Sequence, residues 1–335
     1  MRSSCNLKPN AGFVPDMRYF FFCCFVILSA VSNAEEPTHS PVKELLFEPR
    51  DSARDRVVPV KVYLPADLET PAPVILFSHG LGGSRMNSVY LGQYWAQHGY
   101  VGVFMQHIGS DESVWKEAKK GERKSALEGA ANLKSTLDRF ADVPFVIDQL
   151  ELWNANGDHP VFGKLDLEHI GMCGHSFGAV TTQAMMGQKF RGDRTVADPR
   201  LDAFFAMSPS EPRGGTSSAA FGEIKSPVLT MTGTKDDNPI NPNSLPATRR
   251  EVYKALPPGD KYELVFEGAE HSAFSDAGDR KADRIPHHHP AIQKISTKFW
   301  DAYLKNDASA KKWLQSEQPK TDAALLVEKD LWAWK

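Results

Sequence analysis

One stretch limits the folds open to this chain more than any other: Ile170-Gly171-Met172-Cys173-Gly174-His175-Ser176-Phe177-Gly178. It begins as a short apolar run, reaches G-x-S-x-G, and continues into Ala179-Val180-Thr181-Thr182-Gln183-Ala184-Met185-Met186, which reads as strand, sharp turn and helix. A turn this tight strains the serine backbone and leaves room only for small residues two before and two after it. Gly174 and Gly178 fill those places. The spacing predicts that Ser176 Oγ is held clear of a sheet edge at a helix N-terminus, where an attacking oxygen reaches a carbonyl. The bland alternative is a glycine-rich turn with a solvated serine. The rest of the chain decides between them.

Around this stretch the pattern alternates. Lys43–Glu48 and Arg56–Leu64 read as extended, the second as a half-exposed antiparallel strand. Pro73–Ser78 is a continuous β-branched and aromatic run, suited to a parallel strand buried on both faces. A helix over about Ser88–His98 follows, then a buried strand over Tyr100–His107. Asp111–Gly121 reads as a polar loop or short helix, with Trp115 as its exception. Ser125–Asn154 carries a long helical pattern that Pro144 is expected to divide. Beyond the central stretch come strands at Leu201–Met207, Pro227–Thr232 and Tyr262–Phe266, the last of the set, with helices at Leu245–Leu256 and Ala291–Asn306. Strands alternating with helices predict an α/β chain with a mostly parallel central sheet covered on both faces.

The first 34 residues read as a secretory leader rather than fold. Arg18 precedes the apolar run Tyr19–Leu28, and Ser32 and Ala34 occupy the −3 and −1 positions of a cleavage site. The run is too short for a lasting membrane anchor, so an exported protein, periplasmic or extracellular, is expected. Residues 35–335 then form a single catalytic domain, since no linker, repeat or low-complexity tract divides them. The whole chain carries a net charge of −3 and no basic block, which argues against nucleic acid as a partner. Of four cysteines, Cys5, Cys23 and Cys24 belong to the leader. Cys173 alone remains and reads as a small buried hydrophobe, so no internal disulfide is expected.

A serine nucleophile needs a base, and the base needs an orienting acid. After the strand ending at Thr232 comes Gly233-Thr234-Lys235-Asp236-Asp237, and after the one ending at Phe266 comes Glu267-Gly268-Ala269-Glu270-His271. Serine, acid and histidine thus follow in the order known for such sites, each on a loop after a strand. Ser176, Asp236 and His271 are the expected triad, with Asp237 the nearest rival for the acid. The oxyanion needs two N–H donors: Phe177, directly after the nucleophile, and Leu81 in the glycine-rich loop Ser78-His79-Gly80-Leu81-Gly82-Gly83. His79 is expected to buttress that loop. His107–Asp111 lies on the same side and is expected to shape the pocket or hold a loop. His287-His288-His289 invites a metal reading, but adjacent residues in an extended loop cannot easily share one ion, and no metal or other cofactor is expected.

With these residues in hand, the chain resembles the α/β-hydrolases grouped as predicted dienelactone hydrolases, close to the platelet-activating-factor acetylhydrolases. The resemblance rests on Phe77-Ser78-His79-Gly80-Leu81-Gly82, Gly174-His175-Ser176-Phe177-Gly178 and His271-Ser272-Ala273-Phe274-Ser275-Asp276, and runs from about Pro73 to Trp313. It implies the α/β-hydrolase fold and supports Leu81 and Phe177 as oxyanion donors. In the plasma-type acetylhydrolase the acid follows the strand directly after the elbow helix. The matching Ala206-Met207-Ser208-Pro209 has no acid, and Glu211 comes a little later, so Glu211 stays open beside Asp236. The expected activity is hydrolysis of a small-molecule or lipid-like carboxylic ester through an acyl-enzyme. A peptidase or amidase on the same fold, or a silent binding protein, is the alternative.

Overall fold

The computed structural model describes residues 41–241, 244–276, 285–322 and 325–335. The proposed leader lies outside the described residues. Nine strands make one sheet: Val42–Phe47 (β1), Val60–Pro65 (β2), Ala72–Ser78 (β3), Val101–Met105 (β4), Leu165–His175 (β5), Ala203–Met207 (β6), Val228–Lys235 (β7), Lys261–Glu270 (β8) and Leu331–Trp334 (β9). Their order is β1-β2-β4-β3-β5-β6-β7-β8-β9. Strands β3 to β8 are mutually parallel, while β2 runs antiparallel to β1 and β4, and β9 antiparallel to β8.

Period-two alternation along each strand decides what covers the sheet. On β3, Ile75 and Phe77 face a cluster with Trp95, Phe299 and Trp300, whereas Val74 and Leu76 face one with Phe140, Val143 and Ile147. The first cluster is closed by helices Val89–Gln97 (α1) and His288–Leu304 (α4), the second by Leu133–Ala155 (α2) and Phe177–Met185 (α3). Trp95 and Trp300 are fully buried and meet edge to face, with ring centroids 6.0 Å apart. Each such ring stabilises the fold by roughly 2–3 kcal/mol relative to exposure. The fold class is therefore α/β, with a large, mostly parallel sheet between two helical layers. No helix among the described residues is long and apolar enough to cross a membrane.

Several sequence expectations are corrected. Strand β2 is buried along its whole length rather than half-exposed, because both faces are covered: Tyr63 enters one cluster, Val60, Val62 and Leu64 the other. Its one charged residue, Lys61, keeps its ammonium on Glu44 at 2.9 Å. Pro144 does not divide the long helix. The break comes earlier, between Arg123–Ala130 and α2, where the Asn132 side chain accepts from Ser135 N at 2.9 Å and starts a new helix. The segment Asp111–Gly121 does contain a short helix, Ser113–Lys116, as expected, whereas Leu245–Leu256 is not one helix but a 3₁₀ turn, Pro246–Arg250, followed by Glu251–Ala255. Strand β9, not β8, closes the set at this edge.

Candidate active site

The turn at Ser176 has the strain the motif predicts. Its φ is 57° and ψ −113°, a conformation few L-residues adopt. A Cβ on Gly174 would meet the Gly178 carbonyl oxygen at 2.2 Å, and one on Gly178 would meet the Ser78 carbonyl oxygen at 1.8 Å. Both contacts are with backbone, so neither can be relieved by a side-chain shift. The turn is held from outside by Ser176 N donating to Met207 O at 3.0 Å. Ser176 itself is only partly buried.

Strands β7 and β8 are parallel neighbours, so the loops leaving their carboxyl ends meet. His271 Nε2 lies 2.8 Å from Ser176 Oγ, and His271 Nδ1 lies 2.7 Å from Asp236 Oδ1. With Nδ1–H donating to the carboxylate, Nε2 is the acceptor for the serine hydroxyl. Asp236 is fully buried, and its other oxygen accepts from Thr232 Oγ1 at 2.8 Å. Burial alone would raise its pKa. The hydrogen bond from His271 and the Arg249 charge outweigh that, so the carboxyl sits below its usual range and remains an anion. Asp237 and Glu211 are exposed, and the structure brings neither to the imidazole.

The Leu81 loop turns back on itself through Gly83 N donating to Gly80 O at 3.1 Å, with Gly82 at φ 73°. Leu81 is the second residue of that turn, a position whose N–H the turn does not use. A Cβ on Gly80 would come 3.5 Å from Ser176 Cβ, which places this loop against the serine. Phe177 opens α3 directly after it. Trp115 Nε1 donates to Gly82 O at 2.8 Å and closes the loop from above.

Four further residues support the site through partners that no local sequence signal gives. Arg249 donates to Ser208 O at 3.0 Å, Pro209 O at 3.2 Å and Asp237 O at 3.1 Å, and its Nε lies 3.4 Å from Asp236 Oδ1, so it gathers the acid loop. The Asp276 carboxylate accepts from Ser88 N and, at 2.6 Å, from Val89 N, which ties the histidine loop to the N-terminus of α1. His175 Nε2 donates to His271 O at 3.1 Å, and burial with the nearby His271 lowers its pKa to about 3. Arg139 is fully buried and donates to His79 O at 2.7 Å.

His79 buttresses the loop as expected: its Nδ1 donates to Gly80 O at 2.6 Å, and its Nε2 accepts from His107 N at 3.0 Å. His107 and Asp111 hold the loop next to it. Asp111 accepts from Gln106 Nε2 at 2.6 Å, while Gly82 N donates to Ser110 O at 2.9 Å and Glu112 N to Gly83 O at 2.8 Å. The three consecutive histidines face three different neighbours. His287 Nε2 donates to Asp330 Oδ2 at 2.8 Å, His288 packs on Phe266, and His289 stacks on Tyr90. Among the described residues no three potential ligands are clustered for a metal ion. Cys173 is buried beneath the turn, where burial pushes its thiol far up. No protein-family model matches the chain, and neither does any curated protein.

Proposed function

We propose that the chain is an exported serine hydrolase of the α/β-hydrolase fold that cleaves carboxylic esters through an acyl-enzyme. The observation that carries this reading is the unbroken chain of contacts from Ser176 Oγ to His271 Nε2 at 2.8 Å and from His271 Nδ1 to Asp236 Oδ1 at 2.7 Å, mounted on a strained strand-to-helix turn. The second N–H donor, on the loop between the third strand and the first helix, stands where that fold draws it from. The sheet order and two helical layers are compatible with the fold.

Catalysis follows from the geometry. His271 Nε2 takes the Ser176 proton as Oγ bonds to the ester carbon, and the imidazolium so formed faces the Asp236 anion. The carbonyl oxygen takes up the negative charge and is met by the N–H groups of Leu81 and Phe177. As the oxyanion collapses, the C–O bond to the alcohol breaks and Nε2 returns its proton to the departing alkoxide. Water then adds to the acyl carbon with the same base, Ser176 is expelled with its proton restored, and the acid leaves. No cofactor enters any step. Two neutral donors suit one developing charge, whereas phosphoryl transfer spreads charge over several oxygens. The substrate is a small-molecule or lipid-like ester.

A fluorophosphonate probe and a panel of p-nitrophenyl esters from acetate to palmitate, run beside an anilide, test the proposal. Wild type should be labelled and should hydrolyse esters, and Ser176→Ala should do neither. Labelling that persists in Ser176→Ala would sink the assignment, and anilide turnover exceeding ester turnover would replace esterase by amidase.

A further inference from the structure

The candidate oxyanion hole draws its two donors from elements distant in sequence, the Leu81 loop and the start of α3, and a single buried cation lies against both. We propose that Arg139 is a positioning residue for this hole: its guanidinium holds the carbonyls of His79 and Gly80 on one side and carries the Phe177 ring on the other, so that one rigid group sets the spacing of the two donor N–H groups. The inference rests on the ester-hydrolase reading above.

The peptide unit gives the argument its direction. Gly80 C=O and Leu81 N–H belong to one trans peptide, so they point in opposite directions. Three donors converge on Gly80 O: His79 Nδ1 at 2.6 Å, Gly83 N at 3.1 Å and Arg139 Nη2 at 3.4 Å. Fixing that oxygen fixes where the Leu81 N–H points. Arg139 Nη1 also takes the preceding carbonyl, His79 O, at 2.7 Å, so two successive peptides are gripped by one planar fork. On the far side Arg139 Nε donates to Ser110 Oγ at 2.8 Å, which prevents the guanidinium from swinging away. Its Cζ stands 4.3 Å from the centroid of the Phe177 ring, close enough for a desolvated cation–π contact of about 2 kcal/mol. The ring is buried as well, at 8 % exposure.

The surroundings favour this role over simple packing. Arg139 is completely buried, yet its side-chain donors go to the His79 and Gly80 carbonyls of the Leu81 loop, to Ser110 O and to the hydroxyls of Ser110 and Ser78, rather than into a direct ion pair. Asp142, a fully buried carboxylate whose charge acts on Arg139, is taken by Arg54 at 2.8 Å and Arg56 at 2.9 Å. Burial lowers the Arg139 pKa to about 9, which leaves it cationic at neutral pH. A fixed positive charge behind the donor peptides also favours the oxyanion, in a site of low dielectric.

The test replaces the fork while keeping the charge. Arg139→Lys has one ammonium and cannot hold two carbonyls and face the ring at once. With a p-nitrophenyl ester, at a temperature where circular dichroism shows the variant folded, kcat should fall about 30- to 100-fold with KM within about twofold of wild type, because only the transition state uses the hole. The inhibition constant of an alkyl trifluoromethyl ketone should rise by the same factor. That probe adds to Ser176 Oγ, passes the proton to His271 and leaves its negative oxygen in the hole. Should Arg139→Lys not fold, Phe177→Leu removes the ring from the guanidinium and should weaken the ketone about tenfold. A lower melting temperature with kcat and ketone affinity within threefold of wild type would overturn the proposal and leave Arg139 as packing. Wild type that hydrolyses no ester and takes no fluorophosphonate would overturn the functional reading and this inference with it.

Discussion

Mild acid should destabilise this protein strongly before its carboxylates are neutralised. His79, His107 and His175 are buried and neutral in the fold. Burial and nearby positive charge depress their pKa values, to about 4 for His107, to about 3 for His175, and well below the ordinary value for His79. In the unfolded chain each returns to about 6.5. The unfolded state therefore binds more protons, so stability is complete above pH 6.5 and is lost as pH falls toward the folded values. For His107 the gap corresponds to roughly 3 kcal/mol, and for His175 to roughly 4–5 kcal/mol. Near pH 5 these two groups alone give a slope of about 2.7 kcal/mol per pH unit, and His79 brings it to about 4. Asp202 and Glu263, whose pKa values are raised by burial, act in the opposite sense, while His288, lowered to about 4 mainly by burial, adds to the loss. With His79, His107 and His175 the loss by pH 5 comes to about 6 kcal/mol, a large part of a total of roughly 5–15 kcal/mol. Urea titrations followed by circular dichroism at pH 7.5, 6.5, 5.5 and 5.0 measure it, and His107→Gln should flatten the slope by about 1.4 kcal/mol per pH unit. Unfolding free energies that agree within about 1 kcal/mol between pH 7.5 and 5.0 would refute the reasoning.

The remaining predictions concern the site. Asp236→Asn should lower kcat by about 10³- to 10⁴-fold, with Asp237→Asn and Glu211→Gln near wild type, and steady-state ester kinetics decide it. Gly178→Ala forces a methyl to within 1.8 Å of a backbone oxygen, so it should unfold the protein or abolish turnover, as thermal melts and fluorophosphonate labelling would record. EDTA should leave ester turnover unchanged, and a loss restored by zinc would mean that the histidine run binds a metal. N-terminal sequencing of exported protein should find a start at or near Glu35.

The fold class, Ser176, His271 and the position of the acid loop could be read from the chain because each announces itself locally. Ser176 sits in its motif, and Asp236 and His271 directly follow apolar runs that become β7 and β8. The choice between Asp236 and Asp237 could not be read, since it depends on which carboxylate turns inward. Arg139 meets its carbonyl acceptors 60 residues away, and Asp276 meets α1 across 188. No periodicity records a contact of that range. Pro144 misled because its helix-breaking tendency is a propensity that packing overrides: Phe140, Val143, Val146 and Ile147 are all buried around it. The weaker signal at Asn132, a capping residue three before Ser135, marked the true helix start. Strand β9 has only four residues and borrows its order from β8.

The molecule contains a second serine–histidine–aspartate chain, and it shows why contact distances alone do not make a nucleophile. Ser78 Oγ lies 2.9 Å from His107 Nε2, and His107 Nδ1 lies 2.9 Å from Asp142 Oδ2, close to the spacings at Ser176. All three residues are fully buried. Ser78 ends a regular strand instead of opening a helix, and Asp142 is also paired with Arg54 and Arg56. There is no room for a carbonyl at its hydroxyl, which Arg139 Nη1 approaches at 3.4 Å. The two chains thus divide the work. The buried one anchors β3 and β4 beneath the loop that carries Leu81. The other stands partly open above it, where the strained turn lifts Ser176 off the sheet. What separates them is backbone conformation: a φ of 57° and two glycines without room for a methyl set Ser176 apart from an equally well hydrogen-bonded serine.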